Sequence, residues 1–112
     1  MFLFGKKDDV STPEGADELR HKALILRNSG RFDEAYKLYK RLYPVYEKAG
    51  DLNSQCSVLC SQAETTPNVR EIPQLLEKID EICASMQDPG LKAKSFRNLE
   101  ALKVRLRQHR GV

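Results

Sequence analysis

Three cysteines are the side chains of this sequence with the most obvious capacity for chemistry. Cys56 and Cys60 are four residues apart, so on a helix they lie one turn apart on the same face. Cys83 could approach them from a neighbouring antiparallel helix, and thiolates grouped in this way can bind zinc. The alternative is packing, because cysteine is often a small buried residue. We favour packing and predict no bound metal, since the pattern places neither His21 nor His109 near the cysteines.

The redox state of the cysteines also bears on where the protein acts. An odd number of cysteines, without a signal peptide's apolar core, favours a reducing compartment. Cys56 and Cys60 on one helix do not offer the geometry that a disulfide needs. We therefore expect free thiols and a cytoplasmic protein.

Other catalytic arrangements are missing from the sequence. There is no glycine-rich phosphate loop, no metalloprotease motif, and no serine or cysteine nucleophile placed beside a histidine. Asp80 and Glu81 are adjacent, so on a helix they point to different faces, and the same holds for Asp33 and Glu34. We expect a protein that is not an enzyme and has no cofactor.

Apolar residues recur at helical steps on both sides of a turn at Gly30. Before the turn they are Leu19, Ala23 and Leu26, and after it they are Phe32, Ala35, Tyr39 and Leu42. These spacings place each set on one face of a helix. The sequence therefore predicts two antiparallel helices joined by a short turn, with small residues where they cross.

This hairpin resembles the tetratricopeptide repeat, a helix-turn-helix family that mediates protein–protein contacts. In that family a turn glycine is followed by an aromatic residue, then by a small and a large residue of the second helix. The matching residues here are Gly30, Phe32, Ala35 and Tyr39. Leu19 and Lys22 depart from the family, which usually has Trp and Leu at those places. The resemblance covers residues 16–49.

The same spacing returns 37 residues further along the chain, with Pro67 in place of Gly30. The second set comprises Cys56, Cys60, Ala63, Val69, Ile72, Leu76 and Ile79. A last apolar series, ending at Leu106, predicts a terminal helix. We therefore predict an all-α fold of about two repeats with a C-terminal capping helix. The five helices are expected near residues 16–29, 32–49, 52–64, 70–87 and 90–108.

The chain length and composition suit one small helical domain. With 112 residues, 40% apolar and 31% charged, the chain can form one modest core. We assign residues 16–110 to a single domain and residues 1–15 to a flexible N-terminal segment. Phe2, Leu3 and Phe4 in that segment could contact a membrane surface, although the four apolar residues 1–4 with Lys6 and Lys7 give only marginal affinity.

The resemblance also implies a binding site. In the family, the inner face of each repeat's first helix contacts the ligand. The matching residues are Arg20, Leu24, Arg27 and Asn28 in the first repeat, and Ser57, Ser61 and Glu64 in the second. Two guanidinium groups beside an apolar side chain suit an acidic or C-terminal peptide. The alternative is that Arg20 and Arg27 are ordinary surface charges paired with Asp17 and Glu18.

Half of the eight aromatic residues are tyrosines of one helix: Tyr36, Tyr39, Tyr43 and Tyr46. Tyr39 belongs to the packing face, whereas Tyr36 and Tyr43 share a neighbouring face. Exposed, they would form a contact surface, as tyrosine often does at interfaces. We favour the other interpretation, in which they cover the helices of the next repeat.

Charge is concentrated at the C-terminal end of the chain. Residues 90–112 hold one acidic residue, Glu100, against seven basic residues: Lys92, Lys94, Arg97, Lys103, Arg105, Arg107 and Arg110. A basic helix can attract an acidic protein, a nucleic acid or an anionic lipid. The lack of aromatic residues for base stacking, apart from a core Phe96, argues against nucleic acid.

Together these patterns predict a non-catalytic cytoplasmic module that binds a peptide or partner protein in the groove of stacked helical hairpins. One alternative is a small chaperone for a secreted or assembly client that uses the same groove. A further alternative is a membrane-surface or nucleic-acid accessory protein, which would act through Phe2, Leu3, Phe4 and the basic C-terminal helix.

Overall fold

The computed structural model describes residues 12–112, and within this range it contains five α-helices and no strand. The helices are α1 (Pro13–Asn28), α2 (Phe32–Ala49), α3 (Leu52–Thr65), α4 (Ile72–Ser85) and α5 (Pro89–Arg110), with a short 3-10 turn, Val69–Glu71, before α4. The all-α prediction is confirmed. Phe2, Leu3, Phe4 and most of the segment predicted to be flexible lie outside the described residues. None of the described helices is long and apolar enough to cross a membrane.

Side-chain caps set the beginnings of three helices. Thr12 Oγ1 accepts a hydrogen bond from the Gly15 N–H at 3.1 Å, so α1 begins three residues before the predicted position 16. Asp51 caps α3 through the Ser54 N–H at 3.0 Å. Asp88 accepts from the Gly90 N–H at 2.9 Å, which starts α5 at Pro89.

Proline and glycine set most of the remaining limits. Gly50 ends α2 with a left-handed φ of 71°, a conformation that glycine adopts without steric cost. The fourth helix begins at Ile72, later than predicted, because the preceding residues form the 3-10 turn. Pro73 therefore lies in the first turn of α4, where its missing N–H has no helical acceptor. Pro44 lies inside α2.

Hydrogen bonds between α2 and its neighbours fix the helix directions. The Tyr46 hydroxyl near the end of α2 donates to Asp17 near the start of α1. Two buried amides of α3 donate to carbonyl oxygens of α2, from Gln55 to Tyr46 at 3.2 Å and from Gln62 to Tyr39 at 3.4 Å. The residue numbers rise in one helix as they fall in the other, so consecutive helices are antiparallel.

Alternate helices are also neighbours. Arg20 of α1 contacts Ser54 of α3, and Arg27 contacts Glu64, so α1 and α3 run in the same direction. Arg110 at the end of α5 donates to two carbonyl groups at the end of α3. The molecule measures 44 × 33 × 20 Å, and its shortest dimension equals about two helix diameters. We therefore describe two layers, with α1, α3 and α5 in one and α2 and α4 in the other.

The buried residues form two clusters. The first core joins α1, α2 and one residue of α3, and it comprises Ala16, Leu19, Ala23, Ala35, Tyr39, Leu42, Tyr46 and Val58. The second core joins α3, α4 and α5, and it comprises Cys56, Leu59, Ala63, Ile72, Ile79, Ile82, Cys83, Met86, Leu99, Leu102 and Leu106. Tyr43 packs against both cores.

Burial follows the 37-residue recurrence at three pairs of positions and departs from it at three others, where one member is buried and the other only half-buried: Ala23 with Cys60, Ala63 with Leu26, and Tyr39 with Leu76. Residues buried in both sets are Leu19 with Cys56, Ala35 with Ile72, and Leu42 with Ile79. Phe32 and Val69 were expected on packing faces, yet they are 48% and 40% exposed. Phe32 is the first residue of α2 and Val69 the first of the 3-10 turn, so both lie at one end of the hairpins, past the buried contacts.

Candidate binding groove

A cavity of about 470 Å³ opens between α1 and α3. Its lining comprises Asp17, Arg20, His21, Leu24, Tyr39 and Ser61. Four of these residues come from α1, Ser61 comes from α3, and the buried Tyr39 of α2 lies at the floor. The structure thus brings together three residues predicted from the sequence: Arg20, Leu24 and Ser61.

The guanidinium of Arg20 is held in place by two neighbours. Its Nη1 donates to Ser54 Oγ at 3.4 Å, and its Cζ lies 5.7 Å from the centroid of the Tyr46 ring. A cation above an aromatic face is attracted by the ring quadrupole. No ion pair joins Arg20 to Asp17 or Glu18 among residues 12–112. The guanidinium is therefore oriented without being neutralised by an acidic side chain.

Tyr46 connects this guanidinium to the rest of the fold. Its hydroxyl donates to Asp17 Oδ1 at 2.6 Å. Burial raises the pKa of Tyr46, and the adjacent Asp17 carboxylate raises this pKa further. The Tyr46 phenol therefore stays protonated at neutral pH. It continues to donate its hydrogen bond to the Asp17 carboxylate beside the cavity.

Leu24 supplies the apolar part of the groove. It lies four residues after Arg20, on the same face of α1, and it is 43% exposed. Ser61, on the opposite side, is half-buried and adds a hydroxyl that can donate or accept. The lining thus combines one oriented cation, the Asp17 carboxylate, one exposed apolar side chain, and the polar or aromatic groups of His21, Ser61 and Tyr39.

Arg27 does not face the cavity as an open cation. Its Nη2 lies 3.0 Å from Glu64 Oε1, and Arg105 Nε lies 3.2 Å from Glu64 Oε2. One carboxylate thus bridges α1, α3 and α5. Arg27 thus pairs within the fold with Glu64, and not with Glu18 as the alternative from the sequence had it; its predicted contact with a ligand stays a prediction. Arg27 and Glu64 are 37 residues apart, so the recurrence itself could have indicated their contact.

The remaining predicted residues lie outside the cavity lining. Asn28 is exposed at the end of α1, and Ser57 is half-buried on α3. His21, Asp17 and Tyr39 line the cavity but were not predicted as binding residues. For His21 and Asp17 the available signal was their nearness in sequence to Arg20, whereas Tyr39 had been assigned entirely to packing.

The tyrosines of the neighbouring face cover adjacent helices, as favoured from the sequence. Tyr36 is buried, and its hydroxyl donates to Glu71 at 2.6 Å. The ring of Tyr43 packs against the second core, with Lys78 Nζ 5.3 Å from its centroid. These side chains are therefore used within the fold.

The three thiols are embedded in the protein. Cys56 and Cys83 are buried with their sulfurs 3.9 Å apart, while Cys60 is half-buried. The predicted approach of Cys83 to Cys56 is confirmed. Burial raises the pKa of all three thiols, that of Cys60 to about 12. Among residues 12–112 no group of three or more metal-ligating side chains is arranged around a common point.

Part of the basic charge of α5 is used internally. Lys103 pairs with Glu100 at 3.0 Å, Arg105 with Glu64 at 3.2 Å, and Arg110 donates to backbone carbonyls. Lys94, Arg97 and Arg107 are exposed. The basic helix therefore presents a weaker positive surface than the sequence count suggests.

Comparison with known proteins returns no match to this chain among protein-family models, curated proteins or solved structures.

Proposed function

We propose that this protein is a non-catalytic interaction module that binds a peptide or a segment of a partner protein in the groove between α1 and α3. The observation that carries the proposal is the oriented guanidinium of Arg20 beside the exposed Leu24 in a cavity of about 470 Å³. An anchored charge next to an apolar contact is a common basis of peptide recognition.

The helix arrangement supports a tetratricopeptide-like origin for this groove. Consecutive helices are antiparallel, and α1, α3 and α5 follow one another along one layer, as stacked helical hairpins require. The recurrence of buried residues at Leu19 and Cys56, and at Ala35 and Ile72, favours two related hairpins. In this proposal α5 covers the end of the second hairpin.

Arg20 favours a ligand with a carboxylate, whereas the Asp17 carboxylate of the same lining already accepts a hydrogen bond from the Tyr46 hydroxyl. Arg20 can bind a carboxylate in a bidentate manner, because a guanidinium presents parallel N–H groups. An apolar residue next to that carboxylate would contact Leu24. The ligand class is therefore an acidic peptide or a peptide C-terminus ending in an apolar side chain. Arg27 forms an ion pair with Glu64, so it is less available than Arg20 to bind a ligand carboxylate.

The state of the three cysteines is compatible with a binding role. The cysteines have raised pKa values because they are buried, so they remain thiols at neutral pH. We propose that the protein acts in the cytoplasm without a cofactor. A chaperone for a secreted or assembly client would use the same groove. The accessory role at membranes or nucleic acids loses support, because Lys103, Arg105 and Arg110 make internal contacts.

The test is selection of ligands from a random peptide library with free C-termini, followed by affinity measurements on the full chain. Arg20→Ala should weaken binding of the selected peptide by about 10-fold or more, since a charge-assisted contact is worth about 1.5–3 kcal/mol. Leu24→Ala should weaken it less. Arg97→Ala, on the exposed face of α5, is the matched control and should change nothing.

Two further results separate the groove from the basic helix. Glu64→Gln should tighten binding of an acidic peptide, because Arg27 and Arg105 lose their internal carboxylate. Groove binding should weaken little with added salt, whereas contact with phosphates weakens steeply. Unchanged affinity in the Arg20→Ala variant, with circular dichroism showing an intact fold, would refute the groove as the binding site.

A further inference from the structure

Cys56 and Cys83 form a close pair of thiols inside the second core, and Cys60 packs against the same cluster. Cys56 lies near the start of α3 and Cys83 near the end of α4, and their sulfurs are 3.9 Å apart. Both are free, and both are buried. The connection between α3 and α4 closes one end of this hairpin, at residues 66–71, so the thiol pair lies at the opposite, open end.

We propose that Cys56 and Cys83 are a modification site, a thiol pair that oxidation converts into a disulfide joining α3 to α4. A disulfide needs sulfurs about 2.05 Å apart, so the two atoms must approach by a little under 2 Å. Both residues belong to one buried cluster between facing helices, and the cross-link requires the side chains to move by that amount. This inference is independent of the proposed peptide groove.

Hydrogen peroxide is a suitable oxidant by size and chemistry. Residue Cys56 is 7% exposed and Cys83 0%. The Cys56 sulfur attacks one peroxide oxygen as the thiol proton passes to the departing hydroxide. The O–O bond breaks, one water leaves, and Cys56 becomes a sulfenic acid. The sulfur of Cys83 then attacks the Cys56 sulfur, the S–O bond breaks, and the oxygen leaves as a second water. Two thiols and one peroxide thus give one disulfide and two waters.

The third cysteine is an internal control. Cys60 lies one helical turn after Cys56 on α3, where two thiols of one helix do not reach disulfide geometry. It is half-buried, whereas the proposed pair is buried. Oxidation of Cys60 should therefore stop at a sulfenic or higher acid, or at a mixed disulfide with a small thiol. Its substitution should leave the proposed cross-link intact.

The experiment oxidises the folded full chain with hydrogen peroxide after removal of the reductant. We expect an intact mass lower by two hydrogens, peptide mapping that links Cys56 to Cys83, and reversal by a thiol reductant. Cys60→Ala should retain this cross-link, whereas Cys56→Ala and Cys83→Ala should each abolish it. Closing the open end of the hairpin should raise the melting temperature of the oxidised chain by about 10 °C.

Three outcomes would overturn the proposal. The first is addition of oxygen atoms to the folded parent without a cross-link. The second is a cross-link that forms only in denaturant, because the native geometry would then play no part. The third is a cross-link that survives in Cys56→Ala, which would assign the bond to Cys60 instead. Circular dichroism of each variant before oxidation establishes that it is folded.

Discussion

The two cores of this protein are built from different chemistry. The first core has three fully buried alanines and two tyrosines, and the hydroxyl of Tyr46 bonds to Asp17 at its edge. The second core consists mainly of leucine, isoleucine and sulfur-containing side chains. Small residues let helices approach closely, while larger aliphatic residues bury more apolar area. The first hairpin thus depends on shape and polar anchors, and the second on apolar burial.

Helix α3 belongs to both cores. Val58 faces the first core, whereas Leu59 and Ala63 face the second. A helix that is packed on two sides transmits the loss of either core to the other. We therefore expect the described domain to unfold as one cooperative unit, despite the difference in composition.

The largest expected effect comes from truncating one leucine in each core. Leu42 and Leu102 are both 0% exposed, so each Leu→Ala change should cost about 2–5 kcal/mol of unfolding free energy. Urea unfolding can be followed by tyrosine fluorescence, because all four tyrosines lie on α2, and by circular dichroism of all helices. Coincident transitions are expected in both variants. Separate transitions would divide the domain into two units.

Overpacking should next test the close contact between helices in the first core. Ala23 is fully buried where α1 meets α2, so Ala23→Leu should cost about 1–3 kcal/mol by forcing the helices apart. Ala84 on α4 is exposed, and Ala84→Leu should change the unfolding free energy by about 0.5 kcal/mol or less. Equal effects in the two variants would show that the first hairpin does not rely on small residues. Urea titrations provide the values.

Removing one hydroxyl tests the polar anchor of the first core. Tyr46→Phe deletes the bond to Asp17 and should cost about 1–2 kcal/mol, because a carboxylate loses its donor. Tyr43→Phe is the matched control. Its hydroxyl lies 3.5 Å from Glu47 at the surface, so its loss should cost about 0.5 kcal/mol or less. If Tyr46→Phe leaves the free energy of unfolding unchanged, the hydrogen bond to Asp17 does not stabilise the first core.

Raising the pH above 9 should gradually lower the free energy of unfolding, and it should do so through different groups in the two cores. In the unfolded chain a thiol ionises near pH 9.0, whereas folding raises the pKa of Cys60 to about 12. Stability from this group is complete below pH 9 and is lost as the pH rises towards 12, because the unfolded chain releases the proton first. Tyr46 acts in the same direction above its ordinary pKa of 10.0. Urea titrations at each pH should show that Cys60→Ala reduces the decline in unfolding free energy that begins at pH 9. Tyr46→Phe should reduce only the part of the decline that lies above pH 10.

Much of the helical architecture could be predicted from the sequence because its signals are local. The limits of α2 were predicted correctly at residues 32–49, where Gly30 and Gly50 flank a regular apolar pattern. Helices α1 and α5 begin earlier than predicted because Thr12 and Asp88 cap them. Whether such a residue acts as a cap depends on the backbone geometry of the residues that follow it. Packing of the tyrosines and the approach of Cys83 to Cys56 were anticipated, because both follow from antiparallel neighbours.

The groove was harder to predict, because its charges depend on contacts between distant residues. Arg20, Leu24 and Ser61 line one cavity, as helix periodicity indicated. The use of Arg27 by Glu64 depends on the register of α1 against α3, and the contact of Arg105 depends on the position of α5. Periodicity places a residue on a face but does not reveal which opposite charge it meets there.

The amides of Gln55 and Gln62 have a mechanical consequence. They are seven residues apart on α3, and their acceptors, Tyr46 and Tyr39, are seven residues apart on α2, so they act as two rungs across the same interface. Sliding one helix along the other would break both rungs together and strand two buried amides without partners. Shear between these helices is thereby suppressed. The two rungs therefore fix the register of α3 against α2, and with it the position of the groove wall that α3 contributes.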